Sequence, residues 1–339
     1  MARMNPVLSL DIGGTKLSAA VLSRSGDLLS KERAPTLAQE GPRCVIARLL
    51  DLAARVTRSA GVPVDAAGVS VGGPLDSVAG IVHQPPNLPG WDHVSLRALL
   101  SEGLGIPADR IAMENDANAG ALAEHRFGAA RGRSHLVFLT MSTGIGGGMI
   151  LDGRLYRGAG LSAGEVGHQM IVPDGPVCGC GKRGCLEAVA SGAGIASRLR
   201  ERFDEMPARI KNACGSPDQL TARHLIDAAR DGDPFAVMFL EETAALLARG
   251  IANLVFILNP EMLVLGTLAW HARDLLLVPL RAELRRLCWP VLTQSLEVVA
   301  TQLGPRLEEL SGLCAFLEAE RLKGMPVDPP GCPSGSGSP

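Results

Sequence analysis

Four residues in one short stretch carry metal-binding chemistry: His168, Cys178, Cys180 and Cys185. Three thiolates and one imidazole fill a tetrahedral zinc shell, and four protein ligands leave no open position for a substrate. The glycines at 175, 179, 181 and 184 let the chain fold tightly around one ion. A structural Zn²⁺ is therefore expected, with three buried free thiols as the other reading. The remaining cysteines (Cys44, Cys214, Cys288, Cys314, Cys332) are scattered singly, so the chain lacks the pattern of a disulfide framework.

Other polar groups stand at positions suited to substrate. Asp116, flanked by Asn115 and Asn118, follows a short apolar run and can accept a proton from a bound hydroxyl. It can equally cap the helix that follows. Glu165 and Glu187 flank the Cys/His cluster, where they bind hydroxyl groups or stand as solvated surface charges. Asn87 lies in the Pro-rich segment HQPPNLPGW, where an amide suits either a ligand or a turn.

Two glycine strings complete the set: Asp11-Ile12-Gly13-Gly14-Thr15-Lys16 and Ser142-Thr143-Gly144-Ile145-Gly146-Gly147-Gly148. Glycines let backbone N–H groups approach phosphate oxygens. Neither string is a P-loop, which requires GxxxxGK[ST] between strand and helix. Each joins two apolar runs and so reads as a hairpin turn with phosphate-binding potential.

The elements that must position these groups follow from patterning. Strands are expected over 6–9, 17–22, 67–71, 111–113, 136–141, 149–151 and 262–266. Helices are expected over 42–60, 95–102, 117–126, 192–204, 220–230, 234–258 and 308–321. The repeated strand–glycine turn–strand suggests a duplicated α/β unit, two copies of which would face each other across a cleft.

The chain has 339 residues, 46% apolar and 20% charged, enough for about two domains with real cores. Lys and Arg number 33 against 35 Asp and Glu, so no basic excess points to nucleic acid. No apolar run is long enough to span a membrane, and the N-terminal apolar run stops at Asp11, too soon for a secretory signal. A cytoplasmic location is expected.

Taken in order, DIGGTK (11–16), GGP (72–74), NLPGW (87–91), ENDAN (114–118), TGIGGG (143–148), GEVGH (164–168) and CGCGKRGCLE (178–187) resemble the ROK family of bacterial sugar kinases, over about residues 5–323. The resemblance implies an actin-like, hexokinase-type two-lobed α/β fold with an interlobe cleft. One lobe would be 1–117, rejoined by a C-terminal helix at 305–323. The other would be 118–304, with a zinc-binding insertion at 165–187. The Pro/Gly/Ser-rich tail, 324–339, is expected to be disordered.

The resemblance also implies roles. Asp11, Gly13, Gly14, Thr15, Lys16, Thr143, Gly144, Gly146 and Gly266 would contact ATP, with Asp11 holding Mg²⁺ through water. Asp116 would be the base that deprotonates the sugar's 6-hydroxyl. Asn87, Asn115, Glu165, His168 and Glu187 would bind sugar hydroxyls, one His168 nitrogen ligating zinc and the other meeting the sugar.

Two positions depart from the family pattern. Ser142 precedes Thr143 where a glycine is usual, and Thr267 follows Gly266 where a second glycine is common, so Thr267 is expected to crowd the nucleotide. The substrate most resembled is glucose, giving glucose 6-phosphate. An N-acetylhexosamine kinase (N-acetylmannosamine or N-acetylglucosamine) is the alternative, and a non-catalytic sugar sensor the second. About six residues precede the first strand, too few for the DNA-binding module of the family's repressors. No nucleic-acid or membrane partner is expected, and a homodimer or higher homo-oligomer is.

Overall fold

The computed structural model describes residues 5–324. They form two α/β units, 5–127 with 305–324 and 128–304. The expected disordered tail lies outside the described residues from 325 onward.

The first unit contains β1 (Val7–Ile12), β2 (Lys16–Leu22), β3 (Leu28–Pro35), α1 (Gly41–Ala60), β4 (Ala67–Val71), β5 (Leu75–Asp76), β6 (Ile81–Val82), α2 (Leu96–Leu104), β7 (Ile111–Asn115) and α3 (Asp116–Phe127). Its main sheet has the order β3-β2-β1-β4-β7. β1 runs antiparallel to β2 and parallel to β4, which in turn is parallel to β7. β1 and β4 are almost wholly buried, as near-continuous apolar runs covered on both faces should be. β3 is one edge of this sheet, and its exposed Lys31 and Arg33 discourage pairing with another chain.

The second unit contains β8 (Leu136–Leu139), β9 (Gly147–Leu151), β10 (Arg154–Leu155), α4 (Leu186–Ala190), α5 (Gly192–Glu201), α6 (Ala208–Cys214), α7 (Ala222–Arg230), α8 (Pro234–Leu258), β11 (Met262–Leu265), α9 (Thr267–Ala272), α10 (Asp274–Leu287), α11 (Pro290–Thr293) and β12 (Glu297–Ala300). Its sheet order is β10-β9-β8-β11-β12, with β8 antiparallel to β9 and parallel to β11, and β11 parallel to β12. The two sheets thus share one topology, and each glycine turn occupies the same place in it, between the central strand and its antiparallel neighbour. α6 and the run from α9 to α11 are helices that patterning alone did not bring out. α6, α9 and α11 are short, and α10 carries Pro279 in its interior.

The last helix, α12 (Leu307–Leu322), returns to the first sheet. It lies so close to β4 that a Cβ on Gly68 would stand 1.8 Å from the Gly312 carbonyl oxygen. The Leu313 amide donates to Ser9 Oγ at 3.1 Å, and the buried Arg24 guanidinium meets Glu320, one bond being 3.0 Å. α3 packs against α12 and β7, so the chain divides after Phe127 rather than at 117/118, which would cut that helix near its start. Among the described residues no helix is long and apolar enough to cross a membrane.

Gly68→Ala should push α12 off the sheet and cost about 1–3 kcal/mol, the range for overpacking a dense core. Urea unfolding reads this directly. A midpoint equal to wild type would contradict the packing.

Candidate active site

In the first unit the β1–β2 turn brings several candidates together. The Gly13 amide donates to the Lys16 carbonyl at 3.0 Å, and Thr36 donates its hydroxyl to the Gly13 carbonyl at 2.6 Å and its amide to the Thr15 carbonyl at 3.0 Å. A Cβ on Gly14 would lie 2.7 Å from Asn87 Cβ, so the turn rests directly on the 83–93 loop. That loop is closed by the Gln84 amide on the Trp91 carbonyl at 2.7 Å and anchored by fully buried Trp91, which leaves Asn87 exposed.

Asp11 lies beside this turn, near the end of β1, with Ser70 of β4 as its register partner. Burial pushes its carboxyl up to about 7; Glu308 and Asp116 add to the rise, while Ser70 and Lys16 oppose it. Lys16 is itself held in an ion pair by Glu308 of α12. A half-buried carboxylate with two acidic neighbours favours added positive charge, and a divalent cation would fit there. Asp11 is the residue here that would hold one.

At the β7–α3 junction the expected alternatives separate. Asn115 Oδ1 accepts from the amides of Ala117 at 2.9 Å and Asn118 at 3.4 Å, as an N-cap residue does. Asp116 follows as an exposed residue in the first helical turn, its Oδ1 accepting from the Ala117 amide at 2.9 Å. Below them, buried Glu114 accepts from Asn118 Nδ2 at 3.0 Å and from the Asn115 amide at 3.1 Å. The cap therefore has a provider other than Asp116.

In the second unit the β8–β9 turn is fixed by the Gly146 amide on Thr140 Oγ1 at 2.9 Å and the Ser142 amide on the Gly144 carbonyl at 3.0 Å. Glu187 Oε2 accepts from the Ile145 amide at 2.9 Å. Gly266, at the end of β11, has no room for a side chain: a Cβ there would lie 2.1 Å from the Thr140 carbonyl oxygen. Beside the turn opens a cavity of about 420 Å³ lined by Met141, Ser142, Thr143, Ala193, Ala196, Ile226, Thr267 and Leu268 among others. That volume is in the usual range for small-molecule sites. Thr267 lines the cavity without filling it.

His168, Cys178, Cys180 and Cys185 place their donor atoms within 4.8 Å of one another. Cys180 and Cys185 sulfurs are 3.8 Å apart, and Cys178 Sγ is 3.6 Å from His168 Nδ1. Zn–S bonds of about 2.3 Å and a Zn–N bond of about 2.1 Å at tetrahedral angles require about 3.8 and 3.6 Å. Burial pushes the Cys178 thiol up to about 12 and raises Cys185, while the Lys182 backbone lowers Cys180. Crowded thiols resist ionising together without a cation, so the donor set fits zinc. His168 turns Nε2 toward exposed Glu165, 3.8 Å from Oε2.

Glu308, Glu114 and Ser70 join the expected residues here. Glu308 lies far along the chain from Lys16 and has no local signal, and Glu114 stands out only as part of the ENDAN string. A polar Ser70 in a wholly buried strand is the one signal the sequence carried.

A family model described as "ROK family" matches residues 7–307. The chain is 38% identical to a glucokinase of Thermotoga maritima over 88% of its length and 92% of the relative's. It is 35% identical to an N-acetylmannosamine kinase of Shigella flexneri, over 77% and 82%. A crystal structure of a Streptomyces griseus ROK glucokinase, in complex with glucose and AMPPNP, superposes with a TM-score of 0.82 at 32% identity, covering 91% of this chain and 98% of that one.

Elemental analysis should find about one zinc per chain, and removing it with a chelator should lower Tm; a metal-free protein of unchanged Tm would contradict the donor geometry. Asp11 gives a pH prediction. Its carboxyl is raised from 3.8 to about 7, so the folded chain holds a proton that the unfolded chain releases between those values. Stability is thus lost as pH rises through that window. Asp11→Asn should raise Tm at pH 8 without divalent cations, with a gain that shrinks toward pH 4. An equal gain at both pH values would refute the burial account.

Proposed function

Because the chain belongs to the ROK family, we propose that it transfers the γ-phosphoryl group of ATP to the 6-hydroxyl of glucose, with Asp116 as general base. It is an ATP-dependent sugar kinase with the actin-like, hexokinase-type α/β fold of its relatives. The observation that carries the base assignment is the division of labour at the β7–α3 junction: Asn115 caps the helix, and Asp116 stands exposed beside it.

Phosphoryl transfer asks the protein mostly to position groups and to stabilise charge. Asp116 takes the hydroxyl proton as the oxygen attacks the γ-phosphorus, and ADP leaves. Asn87, Asn115, Glu165, His168 and Glu187 are the ligands of the sugar hydroxyls. Gly13, Gly14, Thr15 and Lys16 present their turn to the phosphates, as do Thr143, Gly144 and Gly146. Gly266 admits the nucleotide beside β11, and the apolar lining of the 420 Å³ cavity suits the adenine ring. Asp11 would hold Mg²⁺, which would supply positive charge to offset that of the phosphates. The Cys/His cluster holds a structural Zn²⁺ and fixes the His168 ring.

Glucose is favoured by the similarity to glucokinases, and the 35% identity to an N-acetylmannosamine kinase keeps an N-acetylhexosamine as the second reading. Exposed Phe256, Ile257, Trp289 and Val291 support self-association, as a homodimer or a higher homo-oligomer. Dependence on ATP supports work in the cytoplasm.

Asp116→Asn should reduce hexose phosphorylation by about 10²–10⁴-fold, the usual contribution of a general base. Calorimetry should show glucose bound within a few-fold of wild type. Full turnover in the variant would remove Asp116 from the chemistry. A wild type that binds sugar but turns over none would favour a sensor.

A further inference from the structure

We propose that Glu187 is the positioning residue of the 142–148 glycine turn, tying nucleotide binding to the Cys/His module; this rests on the ATP-dependent reading above. Glu187 sits in the first turn of α4, two residues past Cys185. Its two oxygens face different neighbours. Oε2 accepts from the Ile145 amide at 2.9 Å, and Oε1 lies 3.5 Å from the sulfur of Cys178, one of the four grouped metal-ligand candidates. The approach to the turn is close: a Cβ on Gly144 would lie 2.4 Å from Oε2.

Other contacts from the same stretch hold the turn. The Gly147 amide donates to the Gly164 carbonyl at 2.8 Å, and the Gly192 and Ala193 amides donate to the Ser142 and Thr143 carbonyls at 2.8 and 3.2 Å. A Cβ on Gly167 would stand 2.0 Å from the Ile145 carbonyl oxygen. The turn is thus moulded on residues 164–193, which carry the metal ligands.

Among these contacts Glu187 makes the one to the amide next to the phosphate-facing pair. The amides of Thr143 and Gly144 donate to nothing among the described residues, whereas that of Ile145 is occupied by Glu187. Fixing Ile145 orients the peptide units before it toward an anion. A carboxylate beside a phosphate site is otherwise unfavourable, since like charges repel. What the turn requires of Glu187 is its acceptor oxygen rather than its charge.

That distinction gives the test. Mg²⁺-AMPPNP binding is measured by calorimetry without sugar on zinc-replete wild type, Glu187→Ala, Glu187→Gln and Gly144→Ala. Hydrogen exchange over residues 142–148 is followed in parallel. Glu187→Ala should bind about tenfold more weakly and lose protection at the Ile145 amide. Glu187→Gln, which keeps an acceptor, should restore both. Gly144→Ala, which forces the carboxylate aside, should resemble Glu187→Ala. Wild-type affinity in Glu187→Ala would overturn the assignment, as would equal loss in the Gln variant or loss of zinc from the Ala variant. A wild type that binds no AMPPNP would instead overturn the ATP-dependent reading itself, and this inference with it.

Discussion

In each α/β unit a glycine with no room for a Cβ lies against a side chain expected to bind sugar. Gly14 meets Asn87, and Gly144 meets Glu187. Any larger residue at either place would push the glycine turn away from the side chain beside it. Transfer of a phosphoryl group depends on holding donor and acceptor oxygens in contact, because little covalent chemistry is left for the protein to do. The rest of each unit serves to keep such a contact in place.

The sheets do this by topology. Each turn leaves the central strand of a five-stranded sheet and returns by an antiparallel neighbour, so its two ends are fixed by buried ladders. In the first unit α12 adds a second constraint, bringing Glu308 to Lys16 from the far end of the chain. The result is a turn flanked by a half-buried acid, Asp11, whose carboxyl is pushed up toward its neutral form by desolvation and by Glu308 and Asp116. In the second unit the Cys/His cluster has the corresponding structural role. Its donor spacing matches a tetrahedral ion, and its neighbours mould the turn.

Much of this was legible in the sequence. Apolar runs bounded by glycine marked the central strands, and the spacing of three cysteines and a histidine marked four donor side chains that the fold does bring together, because local chemistry alone sets both. The identity of the helix cap was not legible: Asn115 and Asp116 are adjacent and both suit the role, and only the backbone direction at the end of β7 decides between them. The Glu187 contact with Ile145 and the Glu308 pair with Lys16 were hidden for another reason. Each joins residues far apart in sequence, and no local periodicity encodes such a meeting. Short helices such as α9, and α10 with its internal proline, were missed because tertiary packing rather than propensity stabilises them.

The central claim is that these elements serve phosphorylation of glucose by ATP. The most direct measurement is ADP release with Mg²⁺-ATP on glucose, mannose, fructose, N-acetylglucosamine and N-acetylmannosamine, with the product's phosphate position read by NMR. The account predicts turnover concentrated on glucose, with phosphate on oxygen 6. Turnover concentrated on an N-acetylated sugar, or on none of the five, would contradict it.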